Sequence, residues 1–203
     1  MDKYFWNYKT PDGFTDMIMF SDGRFLTGLV FKKSSDGFTN RWGKTRKVGT
    51  AFSMTSASEE SGHEELSEEH ITENRLLPVF EDTILWLDQY FGKDPETGKF
   101  TGSGLHPDFV PSMKIEGITP FRRKVIAAML SIPYGQTMTY GEIAKMCGKE
   151  KMSARAVGGA VGWNPICLII PCHRVLGANG LITGYGGGIQ NKIALLQHES
   201  IML

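Results

Sequence analysis

The stretch SARAVGGAVGWNPICLIIPCHRV, residues 153–175, constrains the fold more tightly than any other part of this chain. It opens as a helix, with Ser153 placed to cap it. Gly158, Gly159 and Gly162 each cost that helix about 1 kcal/mol relative to alanine, so close approach of another surface must compensate. Asn164-Pro165 ends it, because proline pushes the residue before it out of helical geometry. The β-branched run ICLIIP then reads as a buried extended segment, with Pro171 holding Ile170 extended, that delivers Cys172 to a fixed place.

The residues on either side extend this pattern. Thr119-Pro120 is an N-cap followed by proline at the first helical position. Phe121, Val125, Ala128 and Met129 form the buried stripe of that helix, and PYGQ ends it. Thr139 and Glu142 make a capping box, so YGEIAKMCG is a short helix ending at Gly148. It and the glycine-rich helix form a helix-turn-helix candidate, with the second helix in the recognition position. Arg155 is the one long cationic side chain there. Small residues also permit tight helix packing, so this segment alone leaves both readings open. Downstream, Asn179-Gly180 predicts a hairpin turn, GYGGG a loop, and IQNKIALLQHES a closing helix.

The first half is different in kind. MIMFSDGRFLTGLVF has two apolar runs around Ser21-Asp22-Gly23-Arg24, a hairpin signal within a β-rich region over 14–55. Residues 57–74 carry seven glutamates and read as a solvated helix or loop. His63 and His70 lie among them without the H-E-x-x-H spacing of a metal site. LLPVFEDTILWLDQYFG places Phe80, Ile84, Leu87 and Phe91 at helical spacing, with Gly92 to close the helix. The glycine- and proline-bearing stretch that follows has no steady period. The reading is an α/β (α+β) chain: a small N-terminal α/β domain with an antiparallel sheet over 1–95, a linker over 96–117, and a mainly helical C-terminal domain with the helix-turn-helix over 118–203.

Net charge is zero, but the balance is uneven. Residues 118–203 hold nine basic and three acidic residues, a balance of +6, which leaves −6 on residues 1–117. A basic C-terminal part suits a polyanionic partner, although it equally fits a solvated surface. No apolar run is long enough to span a membrane. The N-terminus has no apolar signal core, and three cysteines (Cys147, Cys167 and Cys172) are not a disulfide framework. A reducing, cytoplasmic setting is expected.

A thiol beside an imidazole is a candidate nucleophile. On an extended segment, Cys172 and His173 point to opposite faces, so they meet through a turn of the chain or a bridging water. A nearby imidazole favours the thiolate, the nucleophilic form. An imidazole base in turn benefits from a carboxylate that orients it. Of the three glutamates after residue 117, Glu142 is engaged as a cap, and Glu199 on the last helix is the best placed. From spacing alone, Cys172 is either this nucleophile or a small buried core residue.

IPCHRV, preceded by RAVGGAVGWNP and followed by GYGGG, closely resembles the O6-alkylguanine-DNA alkyltransferases, the methylated-DNA–protein-cysteine methyltransferases. The resemblance is strong over residues 76–203, including PFRRKVIAAMLSIPYGQTMTYGEIA, and weak over 1–75. It implies direct-reversal DNA repair on double-stranded DNA containing alkylated guanine, with the damaged base flipped out of the duplex. In that reading Cys172 accepts the alkyl group irreversibly, once per molecule. His173 deprotonates it through water, and Glu199 holds the His173 ring. Asn164 supports the turn, and Tyr140 hydrogen-bonds the base and helps neutralise the leaving guanine anion. Arg155 takes the flipped base's place in the stack. Ser153, Ala154, Gly158 and Gly159 give the helix a bare face for the minor groove. The Val175 carbonyl, Tyr185 and Gly186 line the base pocket, and Trp163 either joins them on the DNA face or packs in the core. The resemblance implies no cofactor and a monomer.

Two departures from the family stand out. Residues 1–146 have no cysteine, so the structural zinc of some members is not expected. GYGGG lacks the serine that often follows the tyrosine, leaving only the Gly186 N–H. Cys167 reads as buried packing within its apolar run. Non-catalytic relatives that recruit other repair proteins replace the acceptor cysteine, which this chain keeps. A sequence-reading regulator would need more polar side chains than Arg155 on the recognition helix. A cysteine hydrolase built on Cys172, His173 and Glu199 would turn over repeatedly.

Overall fold

The computed structural model describes residues 3–32, 37–39, 45–47, 72–102, 104–148 and 154–202. Strands β1 (Tyr4–Tyr8), β2 (Met17–Ser21) and β3 (Leu26–Phe31) form an antiparallel meander. The expected hairpin joins β2 to β3. Asp22 Oδ1 accepts from the backbone N–H groups of Arg24 and Phe25 at 3.0 and 2.9 Å, an aspartate-led turn. Strands β4 (Gly37–Thr39) and β5 (Thr45–Lys47) pair separately and antiparallel. Strand β6 (Thr72–Glu73) adds to β1 in parallel, giving the sheet order β3-β2-β1-β6. The end of the acidic segment is thus a strand rather than a helix or loop. The rest of that segment, with His63 and His70, lies outside the described residues.

Helix α1 (Pro78–Phe91) covers the sheet. Phe80, Leu87 and Phe91 are buried as the periodicity predicts, together with Trp86 and Tyr90, while Ile84 is half-buried. Each fully buried side chain of this size contributes about 1.5–3 kcal/mol. Gly92 closes α1 at φ 68°, the left-handed conformation that favours glycine at this position.

Helix α2 (Pro120–Leu130) is capped by Thr119, whose side chain accepts from Arg122 N. Strand β7 (Met138–Thr139) leads into α3 (Tyr140–Met146) through the complete Thr139–Glu142 capping box. Helix α4 (Ala154–Val161) packs on both α2 and α3. Strand β8 (Val175–Leu176) and helix α5 (Ile189–His198) complete the chain. The fold is mixed α/β, a β-sheet part followed by a helical part, as expected.

Two local expectations change. ICLIIP is not extended. Leu168 sits at φ 68°, and Ile170 N donates to Ile166 O at 3.1 Å, folding the run into a compact turn. Its outer backbone is satisfied by the sheet: Leu29 N donates to Pro165 O at 2.9 Å and Cys167 N to Leu29 O at 2.7 Å. The edge of β3 thereby takes the place of a partner strand. Asn179-Gly180 does form a turn, with φ 56° and 73°, but no hairpin. Val175 and Leu176 pair in parallel with Met138 and Thr139 instead. One hydrophobic core runs from Met17, Leu29 and Trp86 through Val125 and Val157 to Cys172 and Leu195.

Candidate active site

Cys172 begins a single 3-10 turn, Cys172–Arg174, in which all three residues are buried. Successive side chains of such a turn diverge by roughly a third of a circle, which separates Cys172 from His173. Asn164, just past α4, fixes the sulfur. Its Nδ2 donates to Cys172 Sγ at 3.0 Å and to Ile170 O at 2.8 Å, and its Oδ1 accepts from Ile166 N at 3.0 Å. One amide thus ties together the helix end, the turn and the thiol.

His173 points into the protein. Its Nε2 lies 2.7 Å from Glu199 Oε1, and neither side chain reaches solvent. Burial pushes the His173 pKa below its usual value, against the pull of Glu199, so the ring is neutral at pH 7. The ionised Glu199 only accepts, so the proton of the neutral ring sits on Nε2 and Nδ1 is the basic nitrogen. His173 Nδ1 is buried and hydrogen-bonds no group among the described residues.

Glu199, the C-cap of α5, is a hub rather than a single partner. Besides His173 it accepts from Arg174 Nε and Nη2 at 2.7 and 3.0 Å, from Tyr90 Oη at 2.7 Å and from Gly135 N at 3.2 Å. Burial opposes its ionisation, but His173 and then Arg174 outweigh it and bring its pKa to about 2. The charge on Arg174 is further satisfied by Ile132 O at 2.8 Å. Tyr90 stays neutral because burial and the adjacent carboxylate raise its pKa well above the usual value.

The thiol opens onto a pocket walled by Tyr140, Asn164, Cys167, Tyr185, the glycines at 158 and 162 and those of the 184–186 loop. Tyr140 Oη accepts from Thr183 Oγ1 at 3.1 Å. Tyr185 Oη is buried near both sulfurs and forms no hydrogen bond of ordinary geometry among the described residues. The neighbouring Cys167 thiol does most to lower the Cys172 pKa. Burial opposes it, while Asn164, Tyr185 and the cation of Lys192 add to the lowering. Lys192 is fully buried, with its Nζ donating to Val175 O at 2.6 Å.

The expected residues divide by position. Cys172, Asn164, Tyr140, Gly158, Tyr185 and Gly186 share the pocket wall. His173 and Glu199 lie behind it. Val175 and Trp163 do not line it. The Val175 carbonyl is occupied by Lys192, and the Trp163 ring is buried beneath the Arg122 guanidinium, 4.5 Å from the ring centre. Arg155 is exposed on α4. At Gly158 an added Cβ would touch the Tyr140 ring at 3.7 Å, whereas at Gly159 it would meet nothing within 4 Å. Ser153 lies outside the described residues, and Ala154 is described only as the start of α4. The sequence reading missed Arg174, Tyr90, Lys192 and Thr183. Arg174 stands inside the IPCHRV motif, but Tyr90 is 109 residues from Glu199 and carried no signal beyond helix periodicity.

Residues 120–201 match the family model described as the 6-O-methylguanine DNA methyltransferase, DNA binding domain. A methylated-DNA–protein-cysteine methyltransferase of Haemophilus influenzae is 34% identical over 198 residues, covering 98% of this chain and 87% of that protein. One from Mycobacterium tuberculosis is 47% identical over 114 residues, covering 52% of this chain and 68% of that protein. Among solved structures, Mycobacterium tuberculosis OGT in complex with DNA is similar at TM-score 0.64 and 31% identity, with coverage of 97% and 92%.

Proposed function

Because this chain belongs to the methylated-DNA–protein-cysteine methyltransferases, which repair DNA by direct transfer of an alkyl group to a cysteine, we propose that Cys172 is the acceptor and O6-alkylguanine in double-stranded DNA the substrate. The observation that carries this reading is the fixed thiol at the pocket wall, backed by the His173–Glu199 pair.

The proton of Cys172 passes through a water to His173 Nδ1. The sulfur then attacks the carbon bonded to guanine O6. The new S–C bond forms as the C–O6 bond breaks, and its electrons go to the purine. Tyr140 donates a hydrogen bond to the departing base, and the proton that His173 took up returns through water to neutralise the guanine anion. The thioether left on Cys172 resists hydrolysis, so each molecule reacts once. Lys192 favours the thiolate through its charge, and Asn164 aims it. Glu199, Arg174 and Tyr90 act through His173 as positioning residues.

DNA is approached through α4 in the minor groove, with Arg155 filling the space of the flipped base. The bare surface at Gly159 and the basic balance of residues 118–203 support this. In this division of labour residues 118–203 carry the reacting and DNA-facing groups, 96–117 connect, and 1–95 brace the site through Tyr90 and the β3 edge. The protein acts as a cytoplasmic monomer. Among the described residues no helix is long and apolar enough to cross a membrane.

The direct test is intact mass after mixing with a duplex containing O6-methylguanine, followed by peptide mapping. One methyl on Cys172 is expected, and an unchanged mass in folded protein refutes the transfer. Arg155→Ala should slow repair of duplex DNA about tenfold, in keeping with the loss of one stacking side chain, and leave transfer from free O6-benzylguanine nearly unchanged. Equal slowing of both substrates would exclude a flipping role.

Tyr90→Phe keeps the ring that stacks on Trp86 and removes one donor to a charged acceptor. It should cost about 2 kcal/mol in chemical denaturation. It should also change the pH profile of Cys172 alkylation, which a purely structural residue would leave in place.

A further inference from the structure

The catalytic reading leaves one reactive group unused. Cys167 is buried and shares the pocket wall with Cys172. The turn between them explains why. Ile169 N donates to Cys167 O at 2.9 Å, Ile170 N to Ile166 O at 3.1 Å, and Cys172 N to Ile170 O at 2.8 Å. Leu168 in the left-handed region reverses the chain. These bonds fold five residues back so that two thiols separated by LIIP reach the same cavity. Cys147, the third cysteine, caps α3 and is not on that wall.

We propose that Cys167 is a resolving thiol, and that Cys167 and Cys172 form a modification site where a peroxide produces a reversible intramolecular disulfide.

The Cys172 thiolate attacks one peroxide oxygen. The O–O bond breaks, hydroxide leaves, and Cys172 becomes a sulfenic acid. The Cys167 sulfur then attacks the Cys172 sulfur. The S–S bond forms, the S–O bond breaks, and water departs with the Cys167 proton. Two thiols are oxidised and one peroxide is reduced to two waters. Sulfenic acids condense with a nearby thiol in this way, and without one they oxidise further to irreversible acids. The order of events follows from the site. Cys172 is the thiol whose anion is favoured, and Cys167 is held protonated chiefly by its interaction with that anion and by burial. Once Cys172 is a sulfenic acid, the anion is gone and Cys167 is released to react. The cavity that both thiols line is open to a molecule as small as hydrogen peroxide.

The disulfide stands on the shared pocket wall and the 167–172 turn, with the thiol acidities setting only the order of the steps. Its consequence, a blocked acceptor that a dithiol restores, rests on the alkyl-transfer reading.

The test treats the full chain with hydrogen peroxide, quenches free thiols under denaturing conditions, and reads intact mass and peptide maps. The parent should lose two hydrogens, show a Cys167–Cys172 linked peptide, keep Cys147 free, and return to its starting mass with dithiothreitol. Cys167→Ser and Cys167→Ala should instead gain two oxygens on Cys172 that dithiothreitol does not remove. A parent that reaches the same sulfinic acid, that pairs Cys172 with Cys147, or whose Cys172 does not oxidise overturns the proposal. These outcomes are read on the parent alone, so a poorly folding variant does not decide the matter. Methyl transfer from DNA by untreated protein, with no disulfide after peroxide, rejects only this inference. A disulfide without methyl transfer rejects only the alkyl-transfer reading.

Discussion

Cys172→Ala is expected to remain folded and to gain no mass from a duplex carrying O6-methylguanine, while the parent gains one methyl per molecule. The effect is total because the acceptor is consumed rather than assisted: no other atom of the pocket can replace the sulfur that keeps the alkyl group. Cys167 faces the same cavity but is not a substitute. With Cys172 gone, burial still opposes ionisation of Cys167, and the Asn164 amide is aimed at position 172 and not at it. Removing one buried sulfur should cost on the order of 1 kcal/mol. The variant should therefore still bind the damaged duplex, and a gel-shift assay separates lost chemistry from lost recognition. Methyl transfer by Cys172→Ala would mean that another residue is the acceptor.

The second large effect concerns Glu199. Glu199→Gln leaves the Arg174 cation buried opposite a neutral amide and gives His173 a partner that no longer fixes its tautomer. Breaking a buried ion pair by removing one charge costs about 3–5 kcal/mol, a large share of the roughly 5–15 kcal/mol that holds a domain together. Midpoints in urea and on heating should both fall. The rate of alkyl transfer should fall by about a hundredfold or more, the usual contribution of a positioned base.

The same residue sets an acid limit. Its pKa drops from the ordinary 4.5 to about 2 on folding, so it stabilises the native state. That contribution is complete above pH 4.5 and disappears as pH falls toward 2. The drop corresponds to about 3 kcal/mol. Unfolding free energy measured from pH 5 to pH 2 should show this loss in the parent and much less of it in Glu199→Gln. Equal acid profiles for the two proteins would mean that Glu199 is not the group responsible.

Local rules made much of the helical part legible. Thr119-Pro120, the Thr139–Glu142 box and Gly92 act within a few residues of themselves, so their geometry is written where they stand. Asn164-Pro165 marked the end of α4 for the same reason. The turn at Leu168 was not legible. The sequence there is apolar and β-branched, and only the edge of β3, which accepts and donates to the backbone at 165–167, makes a compact turn affordable. The hairpin expected at Asn179-Gly180 failed similarly. The turn chemistry was right, but β7 competed successfully for Val175 and Leu176.

By itself, the sequence determined which helix offers a bare surface and left Cys172 either a nucleophile beside His173 or a core residue, because residue type and short spacing fix no more. The resemblance to the alkyltransferases chose between the two and singled out Glu199. Only the tertiary structure decided how the carboxylate is held and what else meets the thiol. Tyr90 and Arg174 bond to Glu199, Cys167 is folded onto the pocket wall of Cys172, and Lys192 acts on Cys172 through its charge, none of which a periodicity records. Burial then gives those interactions their weight: with little water to screen them, His173 and Arg174 hold Glu199 ionised, while Cys167, Asn164 and Lys192 favour the Cys172 thiolate.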